Sequence, residues 1–167
     1  MPKIIQNVRE QLLAEARRQI AERGYAQTTV RSVASACGLG VGTVYNYFSS
    51  KDVLIASFLF EDWKHYLDKI DALQHDRPET LFQGIYTALQ DFAKQNQSLF
   101  SDAGAARSAA DGSLSHHRML RMQIAALVRP TCESDFHAEF IAEALLRWSM
   151  EGTDFDTVFP ILEKTIK

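Results

Sequence analysis

The sequence lacks the features that mark most membrane and metal-binding proteins. Its two cysteines, Cys37 and Cys132, form no metal-ligand spacing, and we expect both to be reduced, buried thiols. No apolar run approaches the roughly 20 residues that a membrane-spanning helix needs. The first residues also lack the apolar stretch and cleavage site of a signal peptide. We therefore expect a cytoplasmic protein with no membrane partner.

Catalytic motifs are absent as well. The chain has no phosphate-binding glycine loop, no nucleophile elbow, no His-Glu metal motif and no carboxylate pair at a meaningful spacing. His116 and His117 are adjacent, so on a helix they point about 100° apart and are poorly placed to hold one ion together. The sequence predicts no enzyme, no cofactor and no metal site.

Alternation with period two, the sign of a β-strand, does not occur over any useful length. Apolar residues instead recur at helical spacing along the 167 residues, so we predict an all-α protein of about nine helices. The first helix is predicted over residues 4–23. Its apolar stripe consists of Val8, Leu12, Ala16 and Ile20, with Leu13 beside it.

The formal charge of −3 is unevenly distributed. Residues 1–51 carry seven Lys and Arg against three Glu, which gives +4, whereas the remainder of the chain carries −7. A basic end on an acidic body is typical of a phosphate-binding domain joined to an effector or partner domain. Chance clustering of a few charges is the alternative.

The segment from Thr28 to Lys51 predicts two short helices joined by a tight turn. Thr28 or Thr29 can cap the first helix, because a threonine oxygen accepts an unpaired backbone N–H of the first turn. Gly38 ends that helix, since the turn needs a residue that tolerates positive φ. A second helix opens at Gly40 and Val41. The spacing of the small and apolar residues is that of a helix-turn-helix motif.

The second helix of this motif has a composition that stability alone does not explain. Glycine, threonine and valine are poor helix formers, and Tyr45 and Tyr47 add large polar tips. Such a surface suits a helix that enters a DNA groove and contacts phosphates and bases. The alternative for both tyrosines is a core ring with an exposed hydroxyl. Val44 and Phe48 are predicted to belong to the core.

The chain resembles the tetracycline-repressor family of bacterial regulators in its first third. The resemblance lies in Gly24-Tyr25, Thr28-Thr29-Val30-Arg31, Val33-Ala34, Gly38-Leu39, Gly42-Thr43-Val44-Tyr45-Asn46-Tyr47-Phe48 and Ser50-Lys51-Asp52-Val53-Leu54. Gly40 and Val41 depart from the family, which usually has Ser and Lys or another polar residue there. The resemblance implies DNA contacts at Thr29, Arg31, Val41, Gly42, Thr43, Tyr45, Asn46, Tyr47 and Lys51.

Among these contacts, Lys51 and Tyr47 suit phosphate anchoring, whereas Arg31, Thr43 and Tyr45 suit base reading. Gly42 lets the backbone approach the duplex. We assign residues 1–51 to a three-helix DNA-binding head and residues 52–167 to a helical body that binds an effector and dimerises.

A long helix 4 is predicted from Ser49, as its cap, to a break at residues 76–78, and its segment VLIASFLF is expected to be buried on both sides. Helices 5, 7 and 8 follow over about 81–93, 120–128 and 135–150, with a weak helix 6 and a loose loop over 101–115. Helix 8 is expected to use the stripe of Phe136, Phe140, Ala144 and Trp148. In a short helix 9, Pro160 is expected near the start.

The aromatic and methionine content of the body suits an apolar pocket, although each such residue is individually more typical of ordinary core. The candidate pocket residues are Phe60, Trp63, Tyr66, Phe82, Tyr86, Phe100, Met119, Met122 and Trp148.

The resemblance implies a homodimer through the last two helices, about residues 135–167, a small effector that releases the protein, and a palindromic DNA operator. The alternative is a helical adaptor protein with a degenerate DNA-binding head. Retention on heparin or DNA resin with release by salt favours the DNA-binding protein over the adaptor.

Overall fold

The computed structural model describes residues 7–72, 77–101 and 117–166, and it describes residue 100 without its side chain. In these ranges the chain forms nine α-helices and no named strand, which confirms the predicted all-α class. Cys132 and Ile166 form one isolated antiparallel bridge. The helices are α1 (Val8–Gln27), α2 (Val30–Ala36), α3 (Val41–Tyr47), α4 (Lys51–Asp71), α5 (Pro78–Gln95), α6 (Gln97–Phe100), α7 (117–128), α8 (Asp135–Met150) and α9 (Phe155–Leu162).

The chain divides into two compact units. Among the described residues, the first unit contains 7–62 and 96–101, and the second contains 63–72, 77–95 and 117–166. The division falls inside α4, after Asp62. The assignment of DNA binding to residues 1–51 and of effector binding and dimerisation to residues 52–167 is functional and stays a prediction.

Helix α1 buries the apolar stripe that its sequence predicts. Leu12, Leu13, Ala16 and Ile20 are all buried, and Val8 packs at the edge of the same cluster. Gly24 interrupts the helix as predicted, with φ 81° and ψ 173°, and a further helical turn follows to Gln27.

Helices α2 and α3 form the predicted helix-turn-helix. Thr29 caps α2: its hydroxyl accepts from the Ser32 N–H at 3.0 Å, and the Thr29 N–H donates to the Ser32 hydroxyl at 3.0 Å. This reciprocal pair is a capping box, which pairs two otherwise unsatisfied donors. Gly38 follows with φ 68°, a backbone conformation that strongly favours glycine, and Gly40 is the N-cap of α3.

Helix α4 differs from the prediction in its cap and in its burial. Ser50, not Ser49, accepts the Val53 N–H, at 3.2 Å, because the helix begins one residue later than expected. The expected burial of VLIASFLF on both sides is wrong. Val53 and Phe60 are seven residues apart on one face and are exposed, whereas Leu54 and Phe58 are buried.

The core of the first unit collects side chains from α1, α2, α3, α4 and α6. Leu54, Ile55 and Phe58 of α4 supply the neighbour that three short helices require. Leu99 of α6 joins the same cluster with 5% of its surface exposed, a contribution that the sequence did not predict. The expected weak helix over 101–115 lies almost entirely outside the described residues.

The second unit is built around α5, which buries Leu81, Phe82, Ile85, Tyr86 and Leu89 among others. Several of its aromatic rings pack against one another. Trp63 lies edge-on to Phe92 at 5.6 Å between centroids, and the Phe82 and Phe159 rings meet edge-on at 6.1 Å. The unit's interior is therefore rich in aromatic contacts of the kind that stabilise cores.

Helix α8 spans the predicted residues but buries a different face. Its core face includes Ala138, Ile141, Ala142, Leu145 and Ser149. The predicted stripe is wrong at its first two positions, because Phe136 is 75% exposed and Phe140 is 44% exposed. Ala144 is buried and Trp148 is half-buried.

Helix α9 departs from the prediction at its proline. Pro160 is the sixth residue of Phe155–Leu162, not near the start. It cannot donate to the carbonyl four residues earlier, but only two residues follow it in this short helix, so little of the hydrogen-bond ladder depends on it.

Candidate nucleic-acid interface

Helix α3 separates its core residues from its surface residues cleanly. Val44 and Phe48 are buried, with 0% and 2% exposed, as the sequence predicts. Tyr45 and Tyr47 flank this buried face, with 52% and 48% of their surfaces exposed. Gly42 and Asn46 are also exposed. The helix therefore presents aromatic and polar groups to solvent at a length that suits insertion into a major groove.

An open concavity of about 420 Å³ lies beside this helix. It brings together five of the predicted DNA contacts, from α2, α3 and the start of α4: Thr29, Arg31, Val41, Tyr45 and Lys51, with Val30, Ser49 and Ser50 completing the lining. The other predicted contacts, Gly42, Thr43, Asn46 and Tyr47, lie on α3 outside this lining.

Lys51 has a structural role that the sequence did not predict. Its ammonium donates to the carbonyl of Tyr25 and lies 3.5 Å from the centre of the Tyr25 ring. The Tyr25 hydroxyl in turn donates to Asp52 Oδ1 at 2.6 Å. These contacts join the first turn of α4 to the end of α1, and they hold the half-buried Lys51 at the edge of the concavity.

Two ion pairs fix α4 against α1 within the first unit. Arg17 reaches both oxygens of Asp62, at 2.7 and 3.3 Å, and its guanidinium lies 5.3 Å from the Phe58 ring centre. Arg9 pairs with Glu61 and stacks near the Phe48 ring at 5.8 Å. The arginines of α1 therefore hold helices together, and only part of the basic charge of residues 1–51 remains for a phosphate backbone.

A buried glutamine, Gln19, is the polar residue of α1 that sequence reasoning missed. Only 1% of its surface is exposed, because it lies on the buried face of α1 beside the apolar stripe. Its amide donates to Glu15 Oε1 at 2.7 Å and accepts from the Ser32 hydroxyl at 2.5 Å. The available signal was a polar residue directly before Ile20, three residues after Ala16 and therefore on the same side of the helix.

Two pKa shifts occur near this part of α1. The hydrogen bond from Arg18, followed by the one from Gln19, lowers the pKa of the Glu15 carboxyl against the opposing effect of burial. Burial raises the pKa of the Cys37 thiol, and the nearby Glu15 charge adds to this. Cys37 is half-buried and Cys132 buried, and both are free. The raised pKa disfavours the reactive thiolate of Cys37.

The predicted effector residues are scattered among different environments. Trp63, Phe82 and Tyr86 are fully packed, and Tyr86 donates its hydroxyl proton to the Thr153 carbonyl at 2.7 Å. Trp63 donates to Gln123 at 2.9 Å. Burial raises the pKa of Tyr86, and Asp154 adds to the shift. The remaining predicted residues are Tyr66, Met119 and Trp148, which are half-buried, Phe60 and Met122, which are exposed, and Phe100, whose side chain lies outside the described part.

An open groove of about 230 Å³ separates α7 from α8 in the second unit. Met122 is the one predicted effector residue in its lining, where small side chains such as Ala125 and Ala138 form apolar surface and Arg121 and Glu139 add charge. His117 also lies on α7, where it approaches Glu143 at 3.0 Å; His116 lies outside the described residues. Among the described residues no three metal-ligand side chains come together.

The comparisons with known proteins agree with this helix-turn-helix geometry. Residues 12–58 match the tetR family of bacterial regulatory proteins. The chain is 34% identical over 88 residues to the HTH-type transcriptional repressor KstR2 of Mycobacterium tuberculosis, which covers 49% of this chain and 44% of that protein. It is 28% identical over 179 residues to the HTH-type transcriptional repressor Rv1474c of the same species, covering 98% of this chain and 95% of the relative.

The fold of the whole chain agrees with that of solved family structures. A TetR transcription regulator from Haloarcula marismortui superposes with a TM-score of 0.60 at 19% identity, covering 95% of this chain and 98% of the other. Residues 12–58 therefore carry the helix-turn-helix domain of the tetR family of bacterial regulatory proteins, and the fold of the chain is that of solved TetR regulators. The alignment with KstR2 spans less than half of that repressor. None of the described helices is long and apolar enough to cross a membrane.

Proposed function

We propose that the protein is a DNA-binding transcriptional repressor that acts as a homodimer on a palindromic operator. The observation that carries this proposal is α3, whose Tyr45 and Tyr47 are exposed while Val44 and Phe48 anchor the helix in the core. A helix that is anchored along one face and exposes polar groups elsewhere suits direct contact with base edges. Two relatives are named transcriptional repressors, which supports the direction of regulation.

The concavity beside α3 supports separate roles for its residues, some in base recognition and others in phosphate binding. Arg31 is exposed at its rim and carries a guanidinium suited to guanine. Lys51 and the hydroxyl of Tyr47 suit phosphates, which add affinity without sequence information. Val41, where the family usually has a polar residue, suits the methyl group of a thymine. We assign the protein to the bacterial cytoplasm, where its DNA target lies, and give it no catalytic role.

Exposed apolar residues on the C-terminal helices support dimerisation through residues 135–167. Phe136 and Phe140 of α8 lie one helical turn apart, and Met150 and Ile161 are 44% and 53% exposed. An exposed apolar surface of this kind is typical of a protein interface. The two recognition helices of the dimer must then lie about 34–36 Å apart to read successive major grooves.

A small, largely apolar effector is proposed to release the DNA. It acts by binding more tightly to the conformation in which the two recognition helices have the wrong separation. The open groove between α7 and α8, which Met122 and small apolar side chains line together with charged residues, supports such a ligand.

Fluorescence anisotropy tests the proposal. Purified protein is titrated against the DNA immediately upstream of its own coding sequence and against an unrelated duplex, at two salt concentrations. We expect tight binding to the first duplex, weaker binding to the second, and a strong loss of affinity with salt, because bound lysines and arginines release counterions. Equal, weak binding to both duplexes would contradict an operator at this position and favour the helical adaptor.

Single substitutions separate affinity from specificity. Arg31→Ala is expected to lower the preference for the upstream duplex by about tenfold, since a good base contact contributes about 1–3 kcal/mol of discrimination. Lys51→Ala is expected to weaken binding to both duplexes about equally and to flatten the salt dependence. Because Lys51 also holds Tyr25, its thermal unfolding is measured alongside, and Lys51→Arg serves as the charge-conserving control. The reverse pattern would overturn the assignment.

A further inference from the structure

We propose that Gln19 is a positioning residue for DNA binding, which sets the N-terminal turn of α2 through the Ser32 hydroxyl. The inference rests on the proposed function, since Thr29 and Arg31 of that turn line the predicted DNA interface. Gln19 itself cannot touch DNA, because it is buried inside the first unit with 1% of its surface exposed. Any effect of Gln19 on DNA binding must therefore pass through other residues.

Both ends of the Gln19 amide have a defined partner. A carboxylate only accepts hydrogen bonds, so the amide nitrogen must face Glu15, at 2.7 Å, and the amide oxygen must face the Ser32 hydroxyl. Arg18 holds the same Glu15 oxygen at 2.6 Å. The result is a continuous path of hydrogen bonds from the surface of α1, through the buried amide, to the first turn of α2.

The Ser32 hydroxyl is the point at which this path controls α2. Its oxygen accepts from the Thr29 N–H, and its single proton has two acceptors within reach, Gln19 Oε1 at 2.5 Å and the Thr29 carbonyl at 2.9 Å. The Thr29 carbonyl already accepts the Val33 N–H at 3.0 Å, which is the first hydrogen bond of the helix. A carbonyl oxygen has two lone pairs and can accept both, so the contact that ties the Ser32 hydroxyl to α1 is its bond to Gln19.

Gln19 therefore fixes the Ser32 hydroxyl from outside its own turn. By accepting the Ser32 proton, it ties the serine that takes part in both halves of the capping box to the buried face of α1. Thr29 is extended, with φ −129° and ψ 156°, and Arg31 is the second residue of the helix that follows. Without Gln19 the Ser32 hydroxyl bonds only within its own turn, to the Thr29 N–H and carbonyl, so that turn loses its hydrogen bond to α1 and holds Thr29 and Arg31 less firmly at the concavity.

Methionine at position 19 tests this because it keeps the length and burial of the side chain but has no strong donor or acceptor. We expect Gln19→Met to bind the upstream duplex about fivefold more weakly, the equivalent of one hydrogen bond. Its unfolding midpoint should not fall, since an apolar side chain suits this stripe. A purely structural role would lower the midpoint together with the affinity.

A double-mutant cycle with Ser32→Ala shows whether Gln19 acts through Ser32. We expect Gln19→Met to cause no further loss of affinity in the Ser32→Ala background, because Ser32→Ala has already removed the hydrogen bond between the two residues. Ser35→Ala, at an exposed serine of the same helix, is the matched control and should bind like the wild type. Additive losses, or unchanged affinity in Gln19→Met, would overturn the inference.

Amide hydrogen exchange tests the same claim without DNA. The Thr29 N–H, bonded to Ser32, should exchange about fivefold faster in Gln19→Met, while amides in the middle of α1 keep their protection. If wild-type protein binds neither duplex, the proposed function fails and exchange alone decides this inference. Unchanged exchange at Thr29 would then refute it.

Discussion

Helices α1 and α8 carry similar apolar patterns and use them differently. In α1 the fold buries Leu12, Ala16 and Ile20 of the i, i+4 stripe, together with Leu13 and Gln19. In α8 two apolar faces lie side by side. The face with Ile141 and Leu145 is buried, whereas Phe136 and Phe140 remain exposed. A helix with one stripe has one possible core face, but a helix with two leaves one for another molecule.

The largest expected effects come from the two buried faces. Leu12→Ala in α1 and Ile141→Ala in α8, both 0% exposed, should each lower the free energy of unfolding by about 3 kcal/mol, because each leaves a cavity in a packed core. Urea unfolding followed by circular dichroism measures both. If Ile141→Ala costs less than Phe136→Ala at protein concentrations where the wild type is monomeric, our assignment of the buried face of α8 is wrong.

The exposed face of α8 should control association. We expect the double substitution Phe136→Ser and Phe140→Ser to raise the dimer dissociation constant about a hundredfold, because exposed aromatic anchors contribute most of the energy of an interface. Analytical ultracentrifugation over a range of concentrations gives the constant.

The control for this experiment is Phe60→Ser on α4. Phe60 is 41% exposed, close to the 44% of Phe140, but it lies outside the C-terminal helices. It should leave the dissociation constant unchanged. An equal effect of both variants would mean that surface hydrophobicity in general, and not the α8 face, drives association.

The same comparison explains how far the sequence predicts this molecule. The limits of α2, α3 and α8 follow from local signals, namely the Thr29 cap, positive φ at Gly38 and Gly152, and a break in apolar spacing. These signals act within a few residues, so they can be identified without knowledge of the rest of the fold. Ser49 and Ser50 show the limit of this approach, because neighbouring serines are equally good caps and only the packing of α4 selects one.

Features that depend on the tertiary partner were not predictable in this way. Which face of α8 is buried depends on the neighbouring helices, and no property of Phe136 itself reveals that it stays exposed. Gln19 was missed because a lone polar residue in a stripe is usually a surface position. Its partner Ser32 is 13 residues away, beyond any local pattern. The predicted DNA contacts came from the resemblance to the tetracycline-repressor family and stay a prediction.

The smallest expected effects compare the charged residues of the two helices. Arg17 of α1 makes a bidentate ion pair with Asp62, whose side chain is 13% exposed. Arg147 of α8 pairs with Glu151 one turn away, with exposures of 69% and 47%. We expect Arg17→Ala to cost about 1.5 kcal/mol, because it leaves a half-buried carboxylate without its main donor. Arg147→Ala should cost about 0.3 kcal/mol, as is usual for a solvated pair within one helix.

Salt provides the sharper test of this difference. Exposed pairs are screened, whereas partly buried ones are screened much less, so raising the salt concentration should remove the small effect of Arg147→Ala and leave most of that of Arg17→Ala. The double mutant Arg17→Ala with Asp62→Ala isolates the pair from the contact of Arg17 with Phe58, which lies 5.3 Å away. If both substitutions lower the free energy of unfolding by the same small amount and respond equally to salt, then the charged face of α1, like that of α8, is merely solvated and does not hold α4.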